Sequence, residues 1–440
     1  MDVVMRYSRP GRLARLALAS CAIAAPPLSG KTGTARAQPS GIERTFTLEE
    51  AQRLALLNSA ALLSAEQNVF IAQQRVQEAK FLFFPEVGLQ ASGTRYESRY
   101  PFALAPELHS ILLFPSDRNY IYSGRAYLTQ TLYDGRKTIN LFRLAQSALK
   151  QAQTQYEAVR LDTAHGTRRA FFQLLHAQER LAAAEQRLRA VQTRLSRDFS
   201  GWERVEAEAW VAQLRSREAE ALHAAELELL EFRKTLNLEL DTPVRVLGTL
   251  ETQPVTTDLH KLLIWAMEMR PELQSEIYKA KMEDIAVNLA SGRRFPTIIL
   301  ASNYEITDNR FPIKQNNWDA TLGLRIPFPF DFWTQIRQKR AEKRQGEILR
   351  ADSQDRVRLE VRKAYEDLQF WQTEWPLREK EYLRIKELAQ SAGERGGPAA
   401  IRAQPAYLDA QERYLGAVME HLVAVSKLER AVGRRLGPEY

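Results

Sequence analysis

The stretch that decides the fold is Phe295-Pro-Thr-Ile-Ile-Leu-Ala-Ser-Asn-Tyr-Glu-Ile-Thr307. Its proline ends the preceding helical pattern, because proline lacks the backbone N–H that a continuing helix needs. Beyond the proline two faces alternate: Ile298, Leu300, Tyr304 and Ile306 on one, and Ile299, Ala301, Asn303, Glu305 and Thr307 on the other. This period of two predicts a strand with one apolar and one polar face. About ten residues is the length that a tilted strand needs to cross a bilayer.

A second alternating run follows and completes a hairpin at about 297–327. In it Trp318, Ala320, Leu322, Leu324 and Ile326 alternate with Asp319, Thr321, Gly323 and Arg325. The first half of the chain has a counterpart after Phe84-Pro85, and we expect that hairpin at about 86–133. Aromatic residues gather near the strand ends, as they do at the two interfaces of membrane barrels.

The two hairpins belong to a repeat with an offset of 211 residues. Matched pairs include Leu48 with Leu259, Ala55 with Ala266, Leu62 with Leu273, and Phe84-Pro85 with Phe295-Pro296. We therefore expect two structural repeats, 38–250 and 251–440. Each would contain a helix, a β-hairpin, a long helix, a tip and a second long helix.

Residues that favour helices fill the remaining segments. Thr47 and Asp258 are the expected N-caps of the first helix in each half, and the first of these would run to about Leu82. The long helices are predicted at 138–197, 205–238, 335–390 and 405–436, with tips at about 199–202 and 392–398. Sixty residues correspond to a helix of about 90 Å. The fold class is therefore mainly α with a small β part.

The first 37 residues are typical of an export signal. A basic stretch ends at Arg15, a short apolar stretch follows to Leu28, and Ala35-Arg36-Ala37 provides a cleavage site. Leu18-Ala19-Ser20-Cys21 is also similar to a lipobox, which would make Cys21 a lipidation site. We favour cleavage near Ala37, because the apolar core continues past Cys21.

Composition argues against several functional classes. The formal charge is +8, and without residues 1–37, which hold six cations and one aspartate, it is +3. The remaining arginines alternate with glutamates along helices, so nucleic-acid binding is not expected. The single cysteine and the scattered histidines give no metal-ligand spacing, and no catalytic or phosphate-binding motif occurs. We therefore expect no enzyme activity, catalytic residue, metal or other cofactor.

Four strands in one chain leave two unpaired edges, which hydrocarbon does not tolerate. Two protomers would give an eight-stranded barrel, and side chains fill the interior of a barrel of that size. Three give twelve strands with an open lumen, although four protomers also remain possible. The polar faces predict the pore-lining residues, namely Ser123, Arg125, Asn303, Glu305, Asp319, Thr321 and Arg325. A soluble sheet packed on the helices is the alternative.

Several segments resemble the TolC-like outer-membrane efflux proteins over nearly the whole mature length. They are Thr47-Leu-Glu-Glu-Ala51, Phe84-Pro85, Phe295-Pro296, Leu128-Thr-Gln-Thr-Leu-Tyr-Asp-Gly-Arg136, Tyr407-Leu-Asp-Ala-Gln411 and Leu428-Glu-Arg-Ala-Val-Gly433. The resemblance implies a homotrimer whose four transmembrane strands per protomer close a 12-stranded barrel in outer-membrane lipid. A long α-helical coiled-coil barrel would extend into the periplasm of a Gram-negative bacterium. Its partners would be a periplasmic adaptor and an inner-membrane pump, in efflux or type I secretion.

A duct of this kind would leak unless its periplasmic end closed at the two tips. The candidate gate residues are Arg197, Asp198 and Trp202 in the first tip, and Glu394, Arg395, Arg402 and Asp409 around the second. Opposite charges on neighbouring hairpins would hold the end closed. The second tip contains more glycine than is usual in the family.

A periplasmic adaptor is the main alternative, because adaptors also carry coiled-coil hairpins. An adaptor would need one central hairpin flanked by β-rich domains, whereas this sequence predicts two hairpins with strands at matched places. A purely structural coiled coil would not need strands with a polar face. The exported substrate is not indicated by the sequence.

Overall fold

The computed structural model describes residues 44–95, 120–195, 201–308, 313–395 and 398–436, which lie in one compact unit, Glu43–Tyr440. The expected export signal, Cys21, Arg197 and Asp198 lie outside these ranges. The elements in chain order are β1 Arg44–Phe46, α1 Leu48–Asn58, α2 Ala60–Phe81, β2 Glu86–Arg95, β3 Tyr120–Tyr133, α3 Lys137–Leu195, α4 Trp202–Thr235, β4 Val244–Val246, α5 Leu259–Met269, α6 Pro271–Gly292, β5 Thr297–Asp308, β6 Gln315–Arg325, α7 Phe332–Arg395 and α8 Pro398–Val432.

The first helix begins as expected and then breaks. Thr47 and Glu50 form a capping box, in which each side chain accepts from the other residue's backbone N–H. The prediction of one continuous helix to Leu82 is wrong, because α1 ends at Asn58. Ser59 has ψ 117°, outside the helical range, and its hydroxyl accepts from the backbone N–H of Leu62. One residue therefore ends α1 and caps α2.

The same break recurs 211 residues later. Arg270 has ψ 121° and separates α5 from α6, where Pro271 takes the first helical position. The limits of α5 and α6 match those of α1 and α2 at this offset. Ala55 and Ala266 are fully buried at equivalent places. The repeat therefore extends from sequence to helix boundaries and to the core.

The four long strands form one antiparallel sheet in the order β2-β3-β5-β6. Their register is regular apart from a bulge in β3, where Thr131 pairs with Ile299 and Tyr133 with Ile298. Leu132 is the extra residue, and such a bulge bends the strand that carries it. Among the described strands, β2 and β6 are the edges of this sheet.

A second, two-stranded sheet was not predicted. β1 and β4 pair in parallel, with Arg44 opposite Val244 and Phe46 opposite Val246. Val244 and Val246 are buried against Phe171 and Phe232. Three-residue strands are too short to show an alternating pattern, so only their pairing reveals them.

The long helices differ from the prediction mainly around the second tip. α3 has 59 residues and α7 has 64, which correspond to about 90–95 Å. α7 begins at Phe332 and continues through Gly393 to Arg395, past the predicted end at 390. α8 begins at Pro398 and contains Pro405, so the predicted start at Pro405 is wrong. Pro398 provides the start, because the first helical position needs no intrahelical N–H bond.

Packing joins the helices into two hairpins. α3 packs on α4, α7 packs on α8, and α3 also contacts α8, α2 and α6. Alanine fills many core positions, including Ala184, Ala364, Ala417 and Ala431, and small side chains let helices approach closely. Within the described ranges, no single helix combines the length and apolar character of a membrane span. α1 and α2 meet that test only jointly, across a 46° bend.

Candidate functional site

The sheet places all seven predicted pore-lining residues on one face. Cross-strand partners share a face, and the register pairs Arg125 with Glu305, Asn303 with Asp319, and Ala301 with Thr321. Ser123 and Arg325 lie on the same face, opposite Thr307 and Thr297. The structure therefore groups these side chains, and their position in a pore stays a prediction.

Hydrogen bonds connect this polar face across three strands. Arg125 donates from Nη2 to Oδ1 of Asn303 at 2.6 Å, and Asn303 Nδ2 donates to Oδ2 of Asp319 at 2.9 Å. The hydroxyl groups of Ser92 and Ser123 lie 2.8 Å apart. A cation, an amide and a carboxylate thus form a chain across β3, β5 and β6.

The opposite face of the sheet is apolar and exposed in the single chain. Leu89 is 87% exposed, Trp318 73% and Leu322 69%. Val87, Leu300, Tyr304 and Leu324 lie on the same face and are also exposed. A contiguous apolar surface of this kind marks a lipid or protein contact. The helices do not cover it, which argues against a soluble sheet packed on them.

Aromatic side chains surround the end of the sheet where strands meet helices. Phe330 is fully exposed, Phe328 is 81% exposed and Trp333 64%. The guanidinium of Arg294 lies 5.2 Å from the ring centroid of Phe295. These side chains form an apolar rim, with cations just beyond it.

The described part of the second tip pairs its charges with the first hairpin. Asp409 accepts from Arg217 of α4 at 2.5 Å, and Arg402 donates to Glu206 of α4. The hydrogen bond from Arg402 lowers the pKa of the Glu206 carboxyl below its ordinary value. Both contacts join α8 to α4 within one chain.

The other predicted gate residues give less information. Trp202 follows Gly201 at the start of α4 and is 77% exposed. Glu394 is exposed near the end of α7. The side chain of Arg395 lies outside the described part of the chain. Asp409 pairs with Arg217, and the role of these residues in a gate stays a prediction.

Sequence reasoning missed a second set of contacts between α3, α7 and α8. Arg180 of α3 donates to Glu412 of α8 at 3.1 Å, and the guanidinium of Arg187 lies 3.8 Å from the ring centroid of Tyr407. Tyr407 stacks on Tyr382 of α7, whose other neighbour is Tyr414. Burial raises the pKa of Tyr382 to about 12. The spacing of seven between Tyr407 and Tyr414 was the available signal, since it places both on one helix face.

Residues 51–204 match the sequence model of a family described as outer membrane efflux protein. This segment, about a third of the chain, is similar to that family. The match covers α1, α2, β2, β3 and α3 and reaches the first tip. It confirms the resemblance inferred from the sequence, to a family of channel proteins rather than enzymes. No curated protein sequence matches the chain.

Solved structures share the fold over most of the chain. The CmeC outer membrane channel of Campylobacter jejuni has a TM-score of 0.75 at 16% identity, covering 88% of this chain and 85% of its own. The MtrE outer membrane channel of Neisseria gonorrhoeae, in its open state, has 0.73 at 16% identity, covering 88% and 89%. The outer membrane protein VceC of Vibrio cholerae has 0.70 at 16% identity, covering 89% and 97%. The predicted fold class is confirmed.

Proposed function

We propose that the chain is the outer-membrane channel of an efflux system, a passive duct built from several copies. One observation carries this proposal: a four-stranded sheet with one polar face, one exposed apolar face and two free edges stands on helices about 90 Å long. The apolar face suits lipid, and the polar face suits a water-filled lumen. The family match and the shared fold support the channel over the adaptor, because an adaptor would not need two such strand pairs.

The free edges support a trimer. Neighbouring strands alternate in direction from β2 to β6, so β6 of one protomer can pair antiparallel with β2 of the next. Three protomers then close twelve strands, and no edge amide remains in hydrocarbon. Two protomers would close a barrel of only eight strands, and side chains fill the interior of a barrel of that size.

The periplasmic end is proposed to close through the contacts between α8 and the first hairpin. The pairs Arg402–Glu206, Arg217–Asp409 and Arg180–Glu412 follow one another away from the tips. Solvent-exposed pairs of this kind are individually weak, because water and salt screen them. A threefold set is weak enough for a periplasmic adaptor to displace, and an inner-membrane pump would supply the substrate.

Fractionation and mass measurement test the channel proposal. We expect the full chain in the outer-membrane fraction, extracted by detergent as a trimer that forms conducting pores in a planar bilayer. A soluble periplasmic monomer would refute the proposal and favour the adaptor.

The resting conductance of the same pores tests the closure. Arg217→Gln should raise it severalfold, because Asp409 loses its partner and Glu412 loses one of two. Arg215→Gln on the same helix is the control, since Arg215 is exposed and has no ion pair within the described ranges. Equal conductance of the wild type and both variants would show that other contacts close the duct.

A further inference from the structure

A groove of about 650 Å³ opens between α2, α3 and α6, just below the strand ends. Four cationic side chains line it: Lys80, Arg143, Lys150 and Lys281. Val76, Leu149 and Ile285 supply apolar walls. The groove therefore combines positive charge with an apolar lining.

The charge of this groove is not neutralised by the protein. All four cations are exposed, and none forms an ion pair with a carboxylate in the described part of the chain. Asp284 is the acidic residue that lines the groove, and Lys343 of α7 lies 2.7 Å from its carboxylate. The groove keeps a net positive charge, which three protomers would repeat around the duct.

The two upper cations of the groove lie near the depth of lipid headgroups, and the two lower cations lie beneath that layer. Lys80 is the penultimate residue of α2, and Arg143 lies six residues into α3, roughly 9 Å from its start. Lys281 and Lys150 lie roughly 16–20 Å below the junction, and Nζ of Lys281 lies 4.9 Å from the ring centroid of Tyr278. A headgroup layer extends about 5–7 Å beyond the hydrocarbon on each side.

An apolar surface connects the groove to the strand ends. Phe81, which follows Lys80, is 68% exposed. Ile139 is 43% exposed and lies four residues before Arg143, on the same face of α3. Exposed apolar side chains therefore lie above the groove, towards the strand ends.

We infer that this groove binds the headgroup of an acidic phospholipid in the leaflet on the helix side of the membrane. The phosphate and any further anionic group would contact Lys80 and Arg143, with Lys150 and Lys281 below them. The inner end of an acyl chain would lie against Ile139 and Phe81. This inference rests on the proposed function, because it needs the sheet to lie in a membrane.

Lipid retention by the purified, delipidated trimer tests the inference. Native mass spectrometry with equimolar phosphatidylglycerol and phosphatidylcholine should show up to three acidic lipids per trimer and at least a tenfold preference for them. The variant Lys80→Gln/Arg143→Gln/Lys150→Gln should lose at least tenfold in that binding. Inorganic phosphate should not compete at millimolar concentration, whereas competition would identify a free-anion site and overturn the lipid.

The matched control removes three exposed cations far from the membrane: Arg362→Gln/Lys363→Gln/Arg384→Gln, which lie at least about 45 Å along α7. This control should retain lipid as the wild type does. If the triple groove variant fails to assemble, Lys150→Glu alone should still weaken acidic-lipid binding, and Arg143→Lys should preserve it. Equal retention of both lipids by a conducting wild-type trimer would overturn the groove and leave the channel standing. A wild type that forms no pore would overturn both.

Discussion

Arginine at two adjacent positions of β6 tests which face of the sheet meets lipid. Leu322 pairs with Leu300 on the apolar face, whereas Thr321 pairs with Ala301 on the polar face. Leu322→Arg should therefore place a guanidinium in hydrocarbon, and Thr321→Arg should place it in water. The two variants have the same charge and nearly the same depth, so they differ mainly in the face that carries the arginine.

The size of the effect follows from depth. Leu322 lies three residues before Arg325, the end of β6. At about 3.3 Å per residue and a tilt of about 40°, it stands roughly 8 Å above the strand end, about halfway to the middle of the hydrocarbon. An arginine costs about 2–4 kcal/mol at the midplane and less towards the interface. We expect about 2 kcal/mol per protomer and about 6 kcal/mol for the trimer.

Urea unfolding in lipid vesicles measures this difference, and planar bilayers measure conductance. Leu322→Arg should lower the unfolding midpoint and the yield of trimer. Thr321→Arg should leave both close to wild type and change the single-channel conductance, because three cations enter the lumen. Equal destabilisation by the two substitutions would refute the assignment of faces.

Three further predictions concern the helical part and the junction. Burial lowers the pKa of His176 to about 4, so the unfolded chain binds more protons between about pH 4 and 6.5. Stability should then fall by about 1–2 kcal/mol as the pH drops through that range, and His176→Leu should flatten the pH dependence of the thermal midpoint. Gly135→Ala should destabilise the protein by about 1–3 kcal/mol in urea unfolding, because Gly135 has φ +66° and a Cβ there would lie 2.8 Å from the Gly292 carbonyl oxygen. Gly166 is the control: it has open space around it, so Gly166→Ala should stabilise the protein by about 0.5–1 kcal/mol. Arg270→Gln should destabilise the protein by about 2–3 kcal/mol in the same assay, because two carboxylates lose a guanidinium that is only 4% exposed. Arg356 forms an exposed ion pair and is the control: Arg356→Gln should change stability by less than about 0.5 kcal/mol.

The strands were predictable because their information is local. Alternation after Phe84-Pro85 and Phe295-Pro296 specifies a face for each side chain, and the register then brings those faces together. β2 and β5 also start immediately after these prolines, at Glu86 and Thr297. Capping by Thr47 and Asp258 was equally local, since an N-cap depends on its own side chain and the next few amides.

Contacts between helices were not predictable in the same way. Asp409 was recognised as a charge near a tip, but its partner depends on how α8 is rotated and shifted against α4. Many arginines lie on α3, α4 and α7, and spacing along one helix does not select among them. The structure selects Arg217 by bringing the two hairpins together. The sequence of a long helix therefore does not identify the residues that it contacts on other helices, whereas the alternation along a short strand identifies the two faces of that strand.

The helix breaks at Ser59 and Arg270 lie at equivalent positions of the repeat, so a sequence signal for one break also indicates the other. The residue before a proline disfavours the helical conformation, so Arg270-Pro271 was an available signal of a break that the prediction of a continuous helix overlooked. The repeat then indicates an equivalent break at Ser59, which no proline follows.

The two sites stabilise the helix break differently. Ser59 caps α2 with its hydroxyl, whereas Arg270 makes no cap and instead places a buried guanidinium 2.6 Å from Glu360 of α7. Arg430 of α8 donates to the other oxygen of Glu360 and also pairs with Asp162 of α3. A single carboxylate on α7 thus connects the second break to both hairpins. The first half has the uncharged Ser59 at the place of Arg270, so the two halves stabilise equivalent helix breaks by different interactions.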